Sequence, residues 1–306
     1  MDEMRVELIR GSSSYPACVA ELSDAPKRLY VRGDPSVLGT PALSIIGSRR
    51  ATPYGIALAE MAARAAAQSG LVVVSGGAIG CDQAAGRAAL KAGGRHIIVL
   101  GSGADVVYPE SSRDLIDTTL SSDGAVVSLE PWGSDPRPWT FPKRNRVIAA
   151  LSAALFVTEA GIPSGTFSTA ETAFSLGREV LAAPGSIFSP QSRGANDLIA
   201  NGACCIVDDD SLEMAISRIY GTLRFTRPGA PGVSGFDARE KRLIGMLVTN
   251  PLRTEEAAAA LRIGGIAAMH LLASLEAGGA VERLPDGRWS PSKSALHALS
   301  SLGDNG

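Results

Sequence analysis

The chain has little of what most catalytic and membrane proteins need. It carries three histidines and four cysteines in 306 residues. Cys18, Cys81, Cys204 and Cys205 show no CxxC spacing, and His96, His270 and His297 lie far apart, so neither a zinc site nor a disulfide framework is indicated. No apolar run approaches the roughly 18 residues of a membrane span. The amino terminus, MDEMRVELIR, is too charged for a secretory segment. These absences predict a cytoplasmic protein with no membrane partner. Aromatics make up 5 % of the chain, and there is no excess of positive charge: the formal net charge is -2 and the isoelectric point about 6.0. A broad basic surface gripping nucleic acid is therefore excluded, and any polyanion site must be local. Neither GxGxxG nor GxxxxGK[ST] occurs, so dinucleotide and ATP sites of those kinds are unsupported and no cofactor is expected.

What is present is a 45 % hydrophobic composition able to bury a sizeable core, and a rhythm. From Leu43 onward short β-rich apolar runs alternate with alanine-rich helical stretches, the pattern of βαβ units. Strands are predicted at Leu43, Leu71, His96, Ala125, Ala154, Glu179 and Ala203. The clearest helix spans Tyr54 to Gln68 behind Pro53, and Ser69-Gly70 ends it. The fold class is α/β, a Rossmann-like doubly wound, mostly parallel sheet. Residues 1–40 read as a mixed segment with a lead-in strand in PKRLYVRGDPSVLG, 41–222 as the Rossmann-like domain, and 223–235, RFTRPGAPGVSG with its flank, as a Pro/Gly linker. Residues 236–295 read as a small winged-helix domain of three helices, the second capped by Thr254, plus a hairpin turning at Pro285-Asp286-Gly287. Residues 296–306 are a tail.

Four segments can carry chemistry. Gly47-Ser48-Arg49-Arg50 follows the first strand of the rhythm, where open α/β sheets place ligands; an ordinary βα turn with solvated arginines is the alternative. Ser75-Gly76-Gly77-Ala78-Ile79-Gly80 follows the next strand, with Asp82 placed to cap a helix; a tight turn alone would look the same. Phe141-Pro142-Lys143-Arg144-Asn145-Arg146 sets cations beside an aromatic, which suits base stacking with backbone contacts, or a solvated charged face. Trp132 and Trp139 stand nearby among prolines that pack a loop equally well. Gly161 to Thr166 places Ser164, Gly165 and Thr166 at a helix start, a phosphate-binding geometry or a capping turn.

In this order the four segments resemble DNA-processing protein A (DprA, also called Smf), a bacterial family. The resemblance spans about Leu43 to Val207 and rests on FPKRNRVIAALS, IIGSRRATPYG, GSGADVVYPE, SGTFSTA, and AAPG paired with GANDLIANGA. It implies an extended Rossmann fold, homodimerisation, binding and protection of incoming single-stranded DNA during natural transformation, and loading of the recombinase RecA, with no chemical step. The implied binding residues are Gly47, Ser48 and Arg49, Gly76 and Gly77, Phe141, Lys143, Arg144 and Asn145, and Ser164, Gly165 and Thr166. Two positions depart from the family's pattern: Ile79 stands where it commonly has arginine and Gly86 where it has histidine, removing one phosphate contact and one polar group. The last helix of the C-terminal part, GIAAMHLLASLEA, has no Lys or Arg and is a poor groove reader. Two alternatives use the same fold: a nucleoside-monophosphate phosphoribohydrolase with Asp82, Glu159 and Glu171 as carboxylates, and a DNA-dependent signalling or defence module.

Overall fold

The computed structural model describes residues 5–222, 236–292 and 295–296. The expected linker at 223–235 and all but the first residue of the expected tail lie outside the described residues.

The rhythm read from Leu43 becomes a sheet because its strands are apolar on both faces, as parallel strands covered by helices must be. Leu43, Ile45 and Val73 point into one core layer, while Ala42, Ile46, Val72 and Val74 point into the other. In chain order the strands are β1 (Arg5–Ile9), β2 (Arg28–Gly33), β3 (Ala42–Ile46), β4 (Val72–Ser75), β5 (His96–Leu100), β6 (Ala125–Ser128), β7 (Ala154–Val157), β8 (Glu179–Ala182) and β9 (Cys204–Cys205). The helices among them are α1 (Ala17–Ala20), α2 (Pro53–Gln68), α3 (Cys81–Lys91), α4 (Arg113–Ser121), α5 (Thr140–Ala150), α6 (Thr166–Ser175), α7 (Arg193–Ala200) and α8 (Asp209–Tyr220).

All nine strands form one sheet, ordered β1-β2-β6-β5-β4-β3-β7-β8-β9. Pairing is parallel from β6 through β9, whereas β2 runs antiparallel to β6, and β1 antiparallel to β2. The N-terminal segment thus differs from its sequence reading: besides the lead-in strand β2 it supplies β1, and both extend the sheet. The chain grows outward from β3 to β6, then returns to β7 on the other side of β3. That reversal is a topological switch point, the place where open α/β sheets leave a crevice.

The return from β6 to β7 carries α5 across one face. Val147, Ile148, Ala149 and Ala150 bury themselves there, and Ser44 in β3 donates to the Ile148 carbonyl at 2.7 Å. On the opposite face Ala59, Ala62, Ala63 and Ala66 of α2 let it approach α3 and the sheet closely. Phe156, fully buried in β7, fills that layer and contributes roughly 1.5 to 3 kcal/mol by leaving water.

Residues 236–292 form three helices, α9 (Ala238–Thr249), α10 (Thr254–Leu261) and α11 (Gly265–Ala277), and a hairpin of β10 (Val281–Arg283) and β11 (Trp289–Pro291). Their own core gathers Leu243, Leu247, Leu272 and Trp289. Gly287 takes φ 85° in the hairpin turn. Thr254 does not cap α10: it is the helix's first residue, and its Oγ1 accepts from the Trp289 indole at 3.1 Å. The preceding Arg253 takes the cap position, its N–H donating to Glu256 at 2.6 Å. Among the described residues no single helix is long and apolar enough to cross a membrane.

Candidate functional site

The carboxyl ends of β3, β4, β5 and β7 converge, and glycines make that approach possible. A Cβ on Gly47 would fall 2.3 Å from Thr158 Oγ1 and 2.7 Å from Cys81 Sγ. Gly80, at φ 92°, lies so close to the Ser48 carbonyl that a Cβ would come within 2.4 Å of it. Only glycine fits there. The turns after β3 and β4 therefore form one packed floor, tied by the Cys81 N–H to the Ser48 carbonyl at 3.3 Å.

Asp82 lies inside this floor, and does not cap α3, whose cap position is Gly80. Its carboxylate accepts from the Gly76 N–H at 2.9 Å, with further backbone bonds from Ala78 and Gly47. Burial pushes its pKa up, against the pull of Arg144 and those N–H groups. The backbone donors that glycine-rich turns offer a phosphate are thus partly taken by an internal carboxylate. The positive charge at this floor comes from side chains.

The first of these is Arg144 on α5. It is 5 % exposed, its guanidinium lies against Gly76 where a Cβ would be 1.7 Å from Nη1, and Nε has no hydrogen-bond partner. Burial lowers its pKa to about 10, opposed by Asp82 and assisted by Arg49. Its counter-charge is the buried Asp82 carboxylate, which offsets part of the cost of holding a guanidinium out of water. Phe141 stands one turn earlier on the same helix. Its ring takes Arg144 at 5.8 Å and Arg49 at 5.3 Å from the centroid, and it nests against Gly101, where a Cβ would sit 2.9 Å from the ring. Two cations thus flank one aromatic.

Arg49, Gly76, Phe141 and Arg144 therefore come together, with Gly47 and Ser48 beneath them. Ser48 Oγ accepts from the Arg50 N–H at 3.0 Å and stabilises its own turn. Gly77, at φ 65°, turns inward over Ile98 and its carbonyl accepts from Gln83. Asn145 follows on α5 and faces the next turn, 3.9 Å from where a Gly165 Cβ would lie. At that turn Ser164 Oγ donates to Thr166 Oγ1 at 2.9 Å and accepts from the Thr166 N–H at 3.2 Å, so both hydroxyls serve the start of α6. Lys143 is apart. One residue along a helix is a rotation of about 100°, and Lys143 is exposed with Arg146 and Val147 on another groove.

The sequence reading missed Tyr108. Its ring is 44 % exposed and lies 5.9 Å from that of Phe141, giving the cluster a second aromatic. Its signal in the sequence is the GSGADVVYPE segment, which places a tyrosine beyond the end of β5. Trp132 packs edge-on against Tyr30 at 5.4 Å, and Trp139, 59 % exposed, lies beneath Arg137, so neither joins the cluster. Ile79 is 55 % exposed on the rim, an apolar side chain where the resemblance leads one to expect arginine. The space that Gly86 opens is filled by His96, whose Cε1 would be 2.5 Å from a Cβ there.

The carboxylates of the hydrolase alternative do not meet in a cleft. Glu159 is 2 % exposed and accepts from Thr52 N–H at 2.8 Å and Thr52 Oγ1 at 2.7 Å, while Asp82 is buried as described. Glu171 is exposed on α6.

Comparison with known proteins adds to this geometry. Residues 7–216 match the family profile of DNA recombination-mediator protein A. The chain is 40 % identical over 189 residues to DNA processing protein DprA of Streptococcus pneumoniae, covering 62 % of this chain and 66 % of that protein. It is 36 % identical over 201 residues to protein Smf of Escherichia coli, covering 66 % and 54 %. The match thus spans between about half and two thirds of these curated relatives. The crystal structure of the Streptococcus pneumoniae protein superposes with a TM-score of 0.64 at 36 % identity, over 68 % of this chain and 73 % of that one. A structure of DNA processing protein A from Helicobacter pylori, described for its single-stranded DNA binding mode, superposes with a TM-score of 0.63 at 30 % identity, over 72 % and 98 %.

Proposed function

The chain belongs to the DNA recombination-mediator protein A family, and from that premise we propose that it binds single-stranded DNA, without a chemical step, at the rim where Phe141 lies between Arg49 and Arg144. Bases stack on Phe141 and Tyr108 while phosphates meet the guanidinium groups. Gly47, Ser48, Gly76 and Gly77 shape the floor, and Asn145, Ser164, Gly165 and Thr166 extend the rim toward β7. Lys143 contacts the strand on the far side of α5. The observation that carries this reading is the cluster itself, with Arg49 and Arg144 gathered around Phe141 at the carboxyl ends of the strands and the Tyr108 ring exposed beside them.

The wider role we propose is protection of incoming single strands and their delivery to the recombinase RecA during natural transformation, in the cytoplasm, by a homodimer. The helix-rich part at 236–295 acts there as a winged-helix module for protein contacts, because α11 carries neither lysine nor arginine.

Anisotropy titration with labelled oligothymidylate tests the binding. Arg49→Ala and Arg144→Ala each lower the slope of log affinity against log salt by about 0.7, one phosphate contact on a single strand. Phe141→Ala costs roughly 1 to 3 kcal/mol of affinity with the slope nearly unchanged. No binding at low salt would retire the reading, and stimulation of RecA filament growth on the same oligonucleotide tests the delivery step.

A further inference from the structure

The far side of α5, where Lys143 stands apart from the rim cluster, opens onto a groove of about 450 Å³. The helix has two working stripes, as its period requires. Phe141, Arg144 and Asn145 face the rim cluster, while Lys143, Arg146 and Val147 line this groove together with the N-terminal segment. Lys27, Arg28 and Tyr30 form its opposite wall, and Leu129 and Pro131 connect the two.

The charges are unevenly matched. Arg146 is held by Asp24, and Arg28 by Glu7 at 2.8 Å. Lys27 and Lys143 are exposed, and among the described residues neither has an ion-pair partner. Glu130 is the other carboxylate in the lining besides Asp24. Two free ammonium groups across one groove fit a sugar–phosphate backbone, and the half-buried Tyr30, packed against Trp132, forms part of its wall.

The groove also continues the rim. Tyr30 pairs with Ser128 in an antiparallel register, so the start of β2 lies beside the carboxyl end of β6. Because the sheet order runs β3-β4-β5-β6-β2, the strand that follows Lys27 is four places from the strand that precedes Arg49, a lateral offset of about 19 Å at the ~4.8 Å spacing of paired strands.

We propose that this groove is a second station for the backbone of the single strand held at Phe141, so that the protein grips a longer segment than the rim cluster alone can span. The proposal rests on the single-strand reading above. It gives the antiparallel pair β1-β2 a function: its connecting segment carries Lys27 to the end of the path.

The test compares labelled dT6 with dT24 on the full chain, using variants outside the rim cluster. Lys27→Glu is expected to weaken dT24 binding about fivefold to tenfold and lower its salt slope by roughly 0.7 or more, leaving dT6 within about twofold. Asp24→Asn, which frees Arg146, is expected to tighten dT24 about threefold. Opposite signs from two exposed substitutions separate the effect from misfolding. If neither variant changes the dT24-to-dT6 ratio, or both oligonucleotides change together, the second station is overturned. If inorganic phosphate at constant ionic strength erases the Lys27 contribution, the groove is a small-anion site and the strand assignment fails. Arg144→Ala read on both lengths tests the rim separately: lost dT6 binding there with an unchanged length ratio for Lys27→Glu sinks this proposal and spares its parent.

Discussion

At the scale of single residues, the site depends on one missing side chain. Gly76 makes room for the Arg144 guanidinium, and its φ is not in the left-handed region, so alanine there meets no backbone barrier. Gly76→Ala displaces the guanidinium and is expected to weaken oligothymidylate binding about tenfold. Combined with Arg144→Ala it should add nothing further, since both act on one group. His96 offers a second residue-scale test. Ser75 Oγ donates to the Asp82 carbonyl at 3.2 Å, which leaves it to accept from His96 Nε2 at 3.0 Å, while Nδ1 meets Thr119 Oγ1 at 3.0 Å. Burial pushes the imidazole pKa down from 6.5 to about 3. The unfolded chain therefore takes up a proton on this histidine below about pH 6.5 that the folded protein refuses until about pH 3. Stability from His96 is complete above that window and is lost as pH falls through it, on the order of 1.4 kcal/mol per pH unit. Urea titrations between pH 4 and 7 should show this slope in the parent protein and its loss in His96→Gln.

At the scale of elements, what decides function is how helices are pinned to strand ends. Glu159, after β7, holds the first turn of α2 through Thr52, and Gly55 leaves space for it, since a Cβ there would lie 2.6 Å from Glu159 Oε2. Burial pushes the Glu159 pKa up and the Thr52 bonds oppose that. Glu159→Ala removes the acceptor of both the Thr52 N–H and the Thr52 hydroxyl, so a loss of about 1 to 3 kcal/mol in unfolding free energy is expected, with DNA affinity within about twofold. The central strands were legible because β3 to β7 are buried on every residue. Strand β1 was not, because only Leu8 of Arg5–Ile9 is buried and an edge strand with one inward residue has no readable period. The site was half legible. Its segments were visible as motifs, but Lys143, Arg144 and Arg146 were counted as one charge cluster, and a helix sends neighbours in different directions. Asp82 was misplaced for a related reason: its role depends on N–H groups from two separate turns, which no local pattern shows.

At the scale of the molecule, residues 5–222 carry a complete sheet with helices on both faces, and the C-terminal helices and hairpin have a core of their own. A fragment ending at Thr222 is therefore expected to fold, to show a cooperative melt, and to bind oligothymidylate within about twofold of the full chain. A much weaker fragment would assign part of the DNA surface to residues 236–296. With a net charge of -2 the protein has little long-range pull on DNA, so its grip depends on the local arrangement of a few cations.

Helix α5 puts a limit on how this protein can vary in length. Each added or deleted residue turns everything beyond it by about 100°. One insertion after Thr140 would bring Lys143 into the register of Arg144, at the slot shaped for a planar fork, and turn Asn145 into the register of Arg146, on the groove. Point changes along this helix are graded, whereas a one-codon indel would misalign both of its faces at a stroke, so length drift in a lineage must collect in the preceding loop at 129–139.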